Sequence, residues 1–330
     1  MKNSTDVVNY RQVISHAIAA AMREDDRVIF FGEDVAAAGG AFKATPGLLE
    51  EFGGARVRDT PISEQAIVGA ALGAAITGLR PIAEIMFADF AGVCFDQIVN
   101  QVAKYRYMSA GQVTVPLVIR MSNGAGGGFA AQHSQAAENW FLNVPGLKIV
   151  TPGTVEDLYG LMLSAVKDDN PVLFFEHKNL FSLKGRIPEG DAAIIPIGKA
   201  AVVREGKDAT VVANQQMRHR AVEAAAILSD RGIEITVIDP RTLVPFDDET
   251  VLASLRETAR LTVVQEAPPS GSWGASLISR VVTNNLELLD APPALVSADE
   301  TPVPYAGSME NAWLPSVDDI VRAVEQQYRY

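Results

Sequence analysis

The sequence predicts an α/β protein whose sheets are mostly parallel and covered on both faces, and two patterns carry that prediction. Short apolar runs without alternation recur along the chain, and between them lie longer stretches with apolar residues at helical spacing. At 330 residues the chain has length for two domains or three, so it needs neither disulfides nor a structural metal to hold it together. The single Cys94 agrees, since one thiol makes neither an internal disulfide nor a zinc cluster. A reducing, cytoplasmic setting is expected.

Arg11 to Arg23 carries alanines and isoleucines at helical spacing, and Arg27 to Phe31 reads as a buried strand ending at Gly32. Residues 33 to 54 are rich in Gly and Ala without a period. Arg56 to Asp59 restarts as a strand that stops at Thr60-Pro61. Ser63 is placed to cap a helix of small residues that opens at Glu64 and runs to about Thr77. Pro81 to Met86 reads as a strand, Asp96 to Met108 as a helix, and Pro116 to Met121 as a strand leading into the loop Ser122 to Gln135. Strand Leu147 to Val150, helix Thr154 to Val166 and strand Pro171 to Glu176 complete a first domain expected over residues 1–180. Residues 181–199, with Gly185, Pro188, Gly190, Pro196 and Gly198, read as a linker. A second α/β domain is expected over 200–330. Its strands are Ala209 to Ala213, Ile233 to Asp239 and Leu261 to Gln265, and its helices Met217 to Arg231, Asp248 to Thr258 and Trp273 to Asn284.

Several functions are excluded at this level. Subtracting 40 acidic from 28 basic side chains leaves −12, which disfavours nucleic acid as a partner. The longest apolar run, Ala66 to Leu79, spans 14 residues, too few to cross a membrane. Met1 to Tyr10 is polar and lacks a signal-peptide core. Gly124 to Phe129 lacks the last glycine of a dinucleotide fingerprint, no Gly-rich stretch ends in Gly-Lys-Ser/Thr, and the four histidines are not at metal-ligand spacing.

Polar residues gather instead at strand ends and helix starts, where open α/β sheets place ligands. The segments are Asp59-Thr-Pro-Ile-Ser-Glu64, Glu84-Ile-Met-Phe-Ala-Asp-Phe90, Gln132-His-Ser-Gln135 and Pro145-Gly-Leu-Lys148. Glu64, among Ile62, Ile67 and Val68, is either a carboxyl kept protonated by apolar surroundings or a carboxylate favoured by its helix dipole. Phe90, with Met86 beside it, offers an apolar wall to a flat ring, or is ordinary core. His133, after a Gly-rich loop, suits proton transfer near neutrality, or is a solvated loop residue. His16, His177 and His219 read as structural or surface residues. Tyr105, Arg106 and Tyr107 read as a packed helix face or subunit contact. In Ala165-Val-Lys-Asp-Asp-Asn170, free helix carbonyls and the Asp168 and Asn170 oxygens suit a hard cation, or form a plain polar helix end.

With Gly32-Glu-Asp34, Asp96-Gln97, Val115-Pro-Leu-Val-Ile-Arg120 and Asp239-Pro-Arg-Thr-Leu-Val-Pro245 these make eight segments in one order. From about Arg11 to the C-terminus the chain thereby resembles the beta subunit of the thiamine-diphosphate-dependent 2-oxo acid dehydrogenases, the decarboxylating component of the pyruvate, branched-chain and acetoin enzymes. The resemblance implies a pyrimidine-type cofactor-binding domain followed by a transketolase C-terminal-like domain. It implies that Glu64 contacts the aminopyrimidine ring nitrogen and favours its imino tautomer, and that Phe90 stacks on that ring with Met86 alongside. By the same resemblance His133 serves proton transfer or lipoyl docking, and Leu117, Ala165, Val166, Asp168 and Asn170 hold K+.

Relatives hold the diphosphate and Mg2+ through a Gly-Asp-Gly motif that this sequence lacks. Mg2+ is therefore expected mainly on an alpha subunit, in an assembly of two alpha and two beta chains, with this chain inactive alone. The implied reaction is cleavage of a small 2-oxo acid or acetoin and reductive acyl transfer to a lipoyl-bearing dihydrolipoyl acyltransferase. The rivals are a carboligase subunit without a lipoyl partner and a non-catalytic assembly subunit. Lys104-Tyr-Arg-Tyr-Met108 and Phe175-Glu-His-Lys178 look most like acetoin-cleaving members, while Asn143 stands where many relatives have His.

Overall fold

A computed structural model describes residues 7–188 and 190–329; the polar start read over Met1 to Asp6 lies outside them. The chain packs as two units. One comprises the residues up to 123 together with 140–197, and the other 124–139 together with 198 onward.

In the first unit β1 (Val7–Asn9) leads into α1 (Tyr10–Glu24), started by a reciprocal cap in which Asn9 and Gln12 each accept the other's backbone N–H. Strands β2 (Val28–Gly32), β3 (Val57–Asp59), β4 (Arg80–Ile85), β5 (Val118–Asn123), β6 (Lys148–Val150) and β7 (Val172–His177) run parallel in the order β6-β7-β5-β4-β2-β3. Every residue of β5 and β7 is buried, which is why these strands read as continuous apolar runs rather than alternating ones. Between strands lie α2 (Leu48–Phe52), α3 (Glu64–Ile76), α4 (Tyr105–Met108) and α5 (Val155–Lys167). Ile14, Ile18 and Met22 of α1 and Leu158 and Met162 of α5 form one core with Phe30, Ile82 and Phe174 of the sheet.

Three local readings differ from this structure. The helix expected over Asp96 to Met108 is a π-turn, Gln97–Val102, followed by α4. The cause is a close approach: a Cβ on Gly146, whose φ is +106°, would lie 2.0 Å from the Ala103 carbonyl oxygen, and Lys104 Nζ donates to Pro145 O at 2.7 Å. The helix widens where that turn presses on it, and Ala103 N–H reaches back five residues to Ile98 O. Ser63 makes no capping bond to α3; its φ of −166° and ψ of 80° set it apart from Asn9 and Thr154, which cap at ψ of 159° and 170° and φ of −92° and −136°. Finally, the expected linker contains β8 (Lys184–Arg186), which pairs antiparallel with β1. Ser164 Oγ of α5 donates to Ile195 O at 2.6 Å, and Gly160 leaves no space for a Cβ against Ala193 and Ile195. Contacts of this kind, invisible in the Lys-Gly-Arg sequence of β8, tie residues up to 197 to the first unit.

The second unit is built from β9 (Ala201–Arg204), β10 (Ala209–Ala213), α6 (Gln215–Asp230), β11 (Ile235–Asp239), β12 (Thr242–Val244), α7 (Asp248–Thr258), β13 (Leu261–Val264), α8 (Trp273–Asn284), β14 (Ala294–Val296), α9 (Gly307–Trp313) and α10 (Val317–Gln326). Its sheet runs β14-β13-β10-β11-β9, with only β9 antiparallel to its neighbour. Ile320, Val321 and Val324 of α10 share a core with Ala221, Ala224 and Leu228 of α6. The loop 124–139 joins this unit rather than the first, and Trp273 N–H donates to Asn139 Oδ1 at 2.9 Å. Among the described residues no helix is long and apolar enough to cross a membrane.

Candidate active site

Ionisable side chains cluster toward the carboxyl ends of the first unit's strands. Arg120 of β5 stands opposite Glu84 of β4 in register, and Glu176 of β7 is opposite Ser122, two residues further along the same face. Arg120 is 1% exposed and donates through Nε (2.9 Å) and Nη2 to the Glu176 carboxylate and through Nη1 to Glu84. Burial works against the guanidinium charge, and the two paired carboxylates overrule it, so Arg120 stays cationic. Burial also pushes the Glu84 carboxyl up, against the pull of Arg120. Above this triad β2 must end in glycine: a Cβ on Gly32 would lie 2.8 Å from Glu84 Cβ and 2.9 Å from its carbonyl oxygen.

The residue after that glycine, Glu33, is 7% exposed, and its Oε1 is buried without a hydrogen-bond partner. Burial raises its carboxyl above the ordinary value, and the charges of Glu64, Asp34 and Glu84 raise it further. Glu33 and Glu64 therefore act on one another. Glu64 opens α3 and is itself 7% exposed. Ile67 and Val68 are buried in the next turn, but Ile62 is 82% exposed and forms no wall around it within this chain, because it precedes the helix and is not carried on its inner face.

Cys94 is buried, and its thiol is pushed up to about 12 by burial and by the charge of Glu64. It is no nucleophile. Its Sγ contacts Phe90 O at 3.8 Å, so Cys94 touches the Phe90 backbone and feels the charge of Glu64. The Phe90 ring is half-buried and packs edge-on against Phe87 at 5.4 Å; Phe87 in turn meets Phe42 at 5.3 Å, with Lys178 Nζ 5.5 Å from its ring centre. Met86 is half-buried beside it. A carboxyl at a helix start, an unsatisfied carboxylate oxygen and an aromatic face make a set that fits a flat nitrogen heterocycle, which both hydrogen-bonds and stacks. In the sequence Glu33 stands within Gly32-Glu-Asp34 with no role of its own. Its position directly after a buried strand was the signal that could have found it.

His133 is half-buried on the 124–139 loop, with its N–H 3.3 Å from Ala130 O. Glu64, Met86 and Phe90 belong to the first unit and His133 to the second.

The oxygens at the end of α5 meet three cationic side chains. Val166 O and Asp168 O accept Arg80 Nη1 at 2.9 and 3.2 Å, the Asp168 carboxylate takes Lys148 Nζ, and Asn170 Oδ1 accepts Arg106 Nη1 at 2.6 Å. Burial works to raise the Asp168 carboxyl, and bonds from Lys148 and Asn170 outweigh it and hold it below the ordinary range. Leu117 O accepts Val172 N–H and Ala165 O accepts Asp168 N–H. A carbonyl has two lone pairs, so a hard monovalent cation at these oxygens would have to share them with Arg80, Lys148 and Arg106. Among the described residues no group of three or more His, Cys, Asp or Glu side chains gathers to hold a metal.

Comparison with known proteins bears on these arrangements. Residues 6–184 match the transketolase pyrimidine binding domain and residues 198–320 the transketolase C-terminal domain. The chain is 46% identical over 327 residues to the beta subunit of acetoin:2,6-dichlorophenolindophenol oxidoreductase of Bacillus subtilis, covering 96% of this chain and 95% of that one. It is 45% identical to the protein of the same name from Cupriavidus necator, covering 97% of each. It is 44% identical to the pyruvate dehydrogenase E1 component subunit beta of Rhizobium meliloti, covering 96% of this chain and 68% of the other. A split-gene transketolase, solved as an inactive beta4 tetramer, superposes with a TM-score of 0.81 over 98% of this chain and 99% of its own at 22% identity, a likeness of fold.

Proposed function

The chain belongs to the transketolase family, among the beta subunits of the acetoin and pyruvate dehydrogenases, and from that premise we propose that it supplies one half of a thiamine-diphosphate active site. The observation that carries the reading is the pair of buried carboxyls, Glu64 at the start of α3 and Glu33 with its unsatisfied oxygen. When bound, thiamine diphosphate supplies an electron sink for breaking the bond beside a carbonyl. Glu64 would hydrogen-bond a ring nitrogen of the aminopyrimidine, beside a Glu33 carboxyl that burial and then the charge of Glu64 raise. Phe90 and Met86 would wall one face of that ring and exclude water from it. His133 would move a proton at the reacting centre or receive a lipoyl group.

An alpha subunit would bring the diphosphate and Mg2+ site, in an assembly of two alpha and two beta chains in the cytoplasm. The lipoyl-bearing dihydrolipoyl acyltransferase would be the acceptor's carrier, making the activity that of an oxidoreductase with a disulfide acceptor. K+ would bind through the oxygens of Leu117, Ala165, Val166, Asp168 and Asn170. The names of the two acetoin relatives favour acetoin over pyruvate or a branched 2-oxo acid as substrate, and favour oxidation over carboligation or a purely structural role.

The test is dye reduction by the chain co-purified with its alpha partner, with and without thiamine diphosphate, over acetoin, pyruvate and branched 2-oxo acids. Cofactor-dependent turnover of one substrate by the complex, and none by this chain alone, is the expected result. Glu64→Gln should lower kcat by about 100-fold or more. Full activity of that variant would overturn the reading.

A further inference from the structure

The glycine-rich stretch ahead of His133 is folded around carboxylates. Gly124, Gly126 and Gly128 take φ of 85°, 94° and 71°, a region that glycine enters without strain, and such a path turns backbone N–H groups toward a common anion. Glu310 of α9, 2% exposed, receives Gly126 N–H on Oε1 at 2.8 Å and Gly128 N–H on Oε2 at 3.0 Å. Glu266, just past β13, receives Ala125 N–H. The helix that carries Glu310 is itself anchored. Trp313 Nε1 donates to Asp299 O and Thr301 O at 3.1 and 3.2 Å, and Trp313 and Leu314 share a small core with Ala125. At the far side of the loop Gly124 N–H meets Gln135 O at 3.2 Å, so the loop closes two residues beyond His133.

We infer that Glu310 is a positioning residue: its carboxylate clamps the 126–128 backbone and thereby sets where the His133 imidazole stands. Bonds to an ionised acceptor are the strong kind, and deleting this one leaves the partly buried Gly126 and Gly128 N–H groups without that acceptor. A displacement of about 1 Å in a reacting group costs about 100-fold in rate. The inference rests on the reading of His133 as the proton-transfer group, and it gives α9, which touches neither cofactor nor substrate in that reading, a part in the chemistry.

The test uses the full complex with its alpha partner, carrying Glu310→Ala or Glu310→Gln, each in wild-type and His133→Asn backgrounds. Hydrogen exchange over a peptide spanning residues 124–135 is read beside kcat and KM. Glu310→Ala should speed exchange there while peptides from β10 and α6 keep their rates. It should lower kcat about 10- to 100-fold and change KM for the substrate by less than about 2-fold. In the His133→Asn background the further loss should vanish, since both substitutions act through one group. Unchanged exchange over 124–135, or an equal further loss of kcat without His133, would overturn the inference. If Glu310→Ala loosens the whole second unit, Glu310→Gln, which keeps the volume and one acceptor oxygen, decides by the same two readouts. A His133→Asn complex that keeps full kcat would remove the role given to His133, and exchange would still report whether Glu310 holds the loop.

Discussion

At Glu33, burial and the neighbouring charges of Glu64 and Glu84 hold the carboxyl above the ordinary 4.5, so the folded chain keeps a proton that the unfolded chain gives up. Stability from this group is present below that ordinary value and is lost as pH rises toward the raised one. The urea midpoint of the wild type should therefore fall as pH climbs from about 4.5, and Glu33→Gln should flatten that fall; an unaltered slope would assign the fall to other groups. Arg120 presents the opposite case, a charge that two buried carboxylates require. Arg120→Met leaves Glu84 and Glu176 without it and should cost about 3–5 kcal/mol in a urea titration. A cost below about 1 kcal/mol would mean that the carboxyls take up protons at little expense.

Among the elements, the π-turn and the end of α5 are where neighbouring segments overrule local preference. Gly146→Ala adds a Cβ 2.0 Å from Ala103 O on a backbone at φ +106° and should lower stability by about 2 kcal/mol or more, read by thermal or urea unfolding. A neutral result would mean that the turn and the helix separate freely. At the end of α5, Asp168 is held below its ordinary 3.8 by Lys148 and Asn170 after burial has worked the other way. That stability is present above the ordinary value and is lost as pH falls through the lowered one. Lys148→Met should accordingly move the acid unfolding midpoint upward, and an unmoved midpoint would show that Asn170 suffices. If K+ occupies the same oxygens, the melting temperature of the complex should be higher in potassium than in sodium at equal ionic strength, and equal values would remove the ion from the account.

For the molecule as a whole, the discontinuity of the two units carries a prediction. Residues 198–330 without the 124–139 loop would leave Glu266 and Glu310 of the second unit without the three backbone N–H groups they accept. A fragment of 198–330 should thus melt less cooperatively, or lower, than the intact chain, as measured by circular dichroism. Melting equal to that of the intact chain would show the loop to be dispensable for the unit's stability.

Fold class, the order of strands along the chain and the helices spanning Asp248–Thr258 and Trp273–Asn284 were legible without coordinates. Each depends on the period and apolar content of a contiguous stretch, and parallel strands buried on both faces leave a strong signal of that kind. Glu64 and His133 stood out as polar residues at a helix start and in a Gly-rich loop, and it was the resemblance carried by eight ordered segments that made them, with Met86 and Phe90, candidates. Tertiary structure alone decided what acts on them. Burial first, and then the charges of Glu64 and Glu84 from other elements, raise the Glu33 carboxyl, the α5 oxygens meet Arg80 from β4, and the glycine loop meets Glu310 from α9 some 180 residues on. The domain boundary belongs with these, since β8 pairs with β1 and the loop 124–139 packs with the second unit. Periodicity is a property of neighbours along the chain, whereas a carboxylate's charge state and a loop's anchor are set by groups that only folding brings within hydrogen-bonding or Coulomb range.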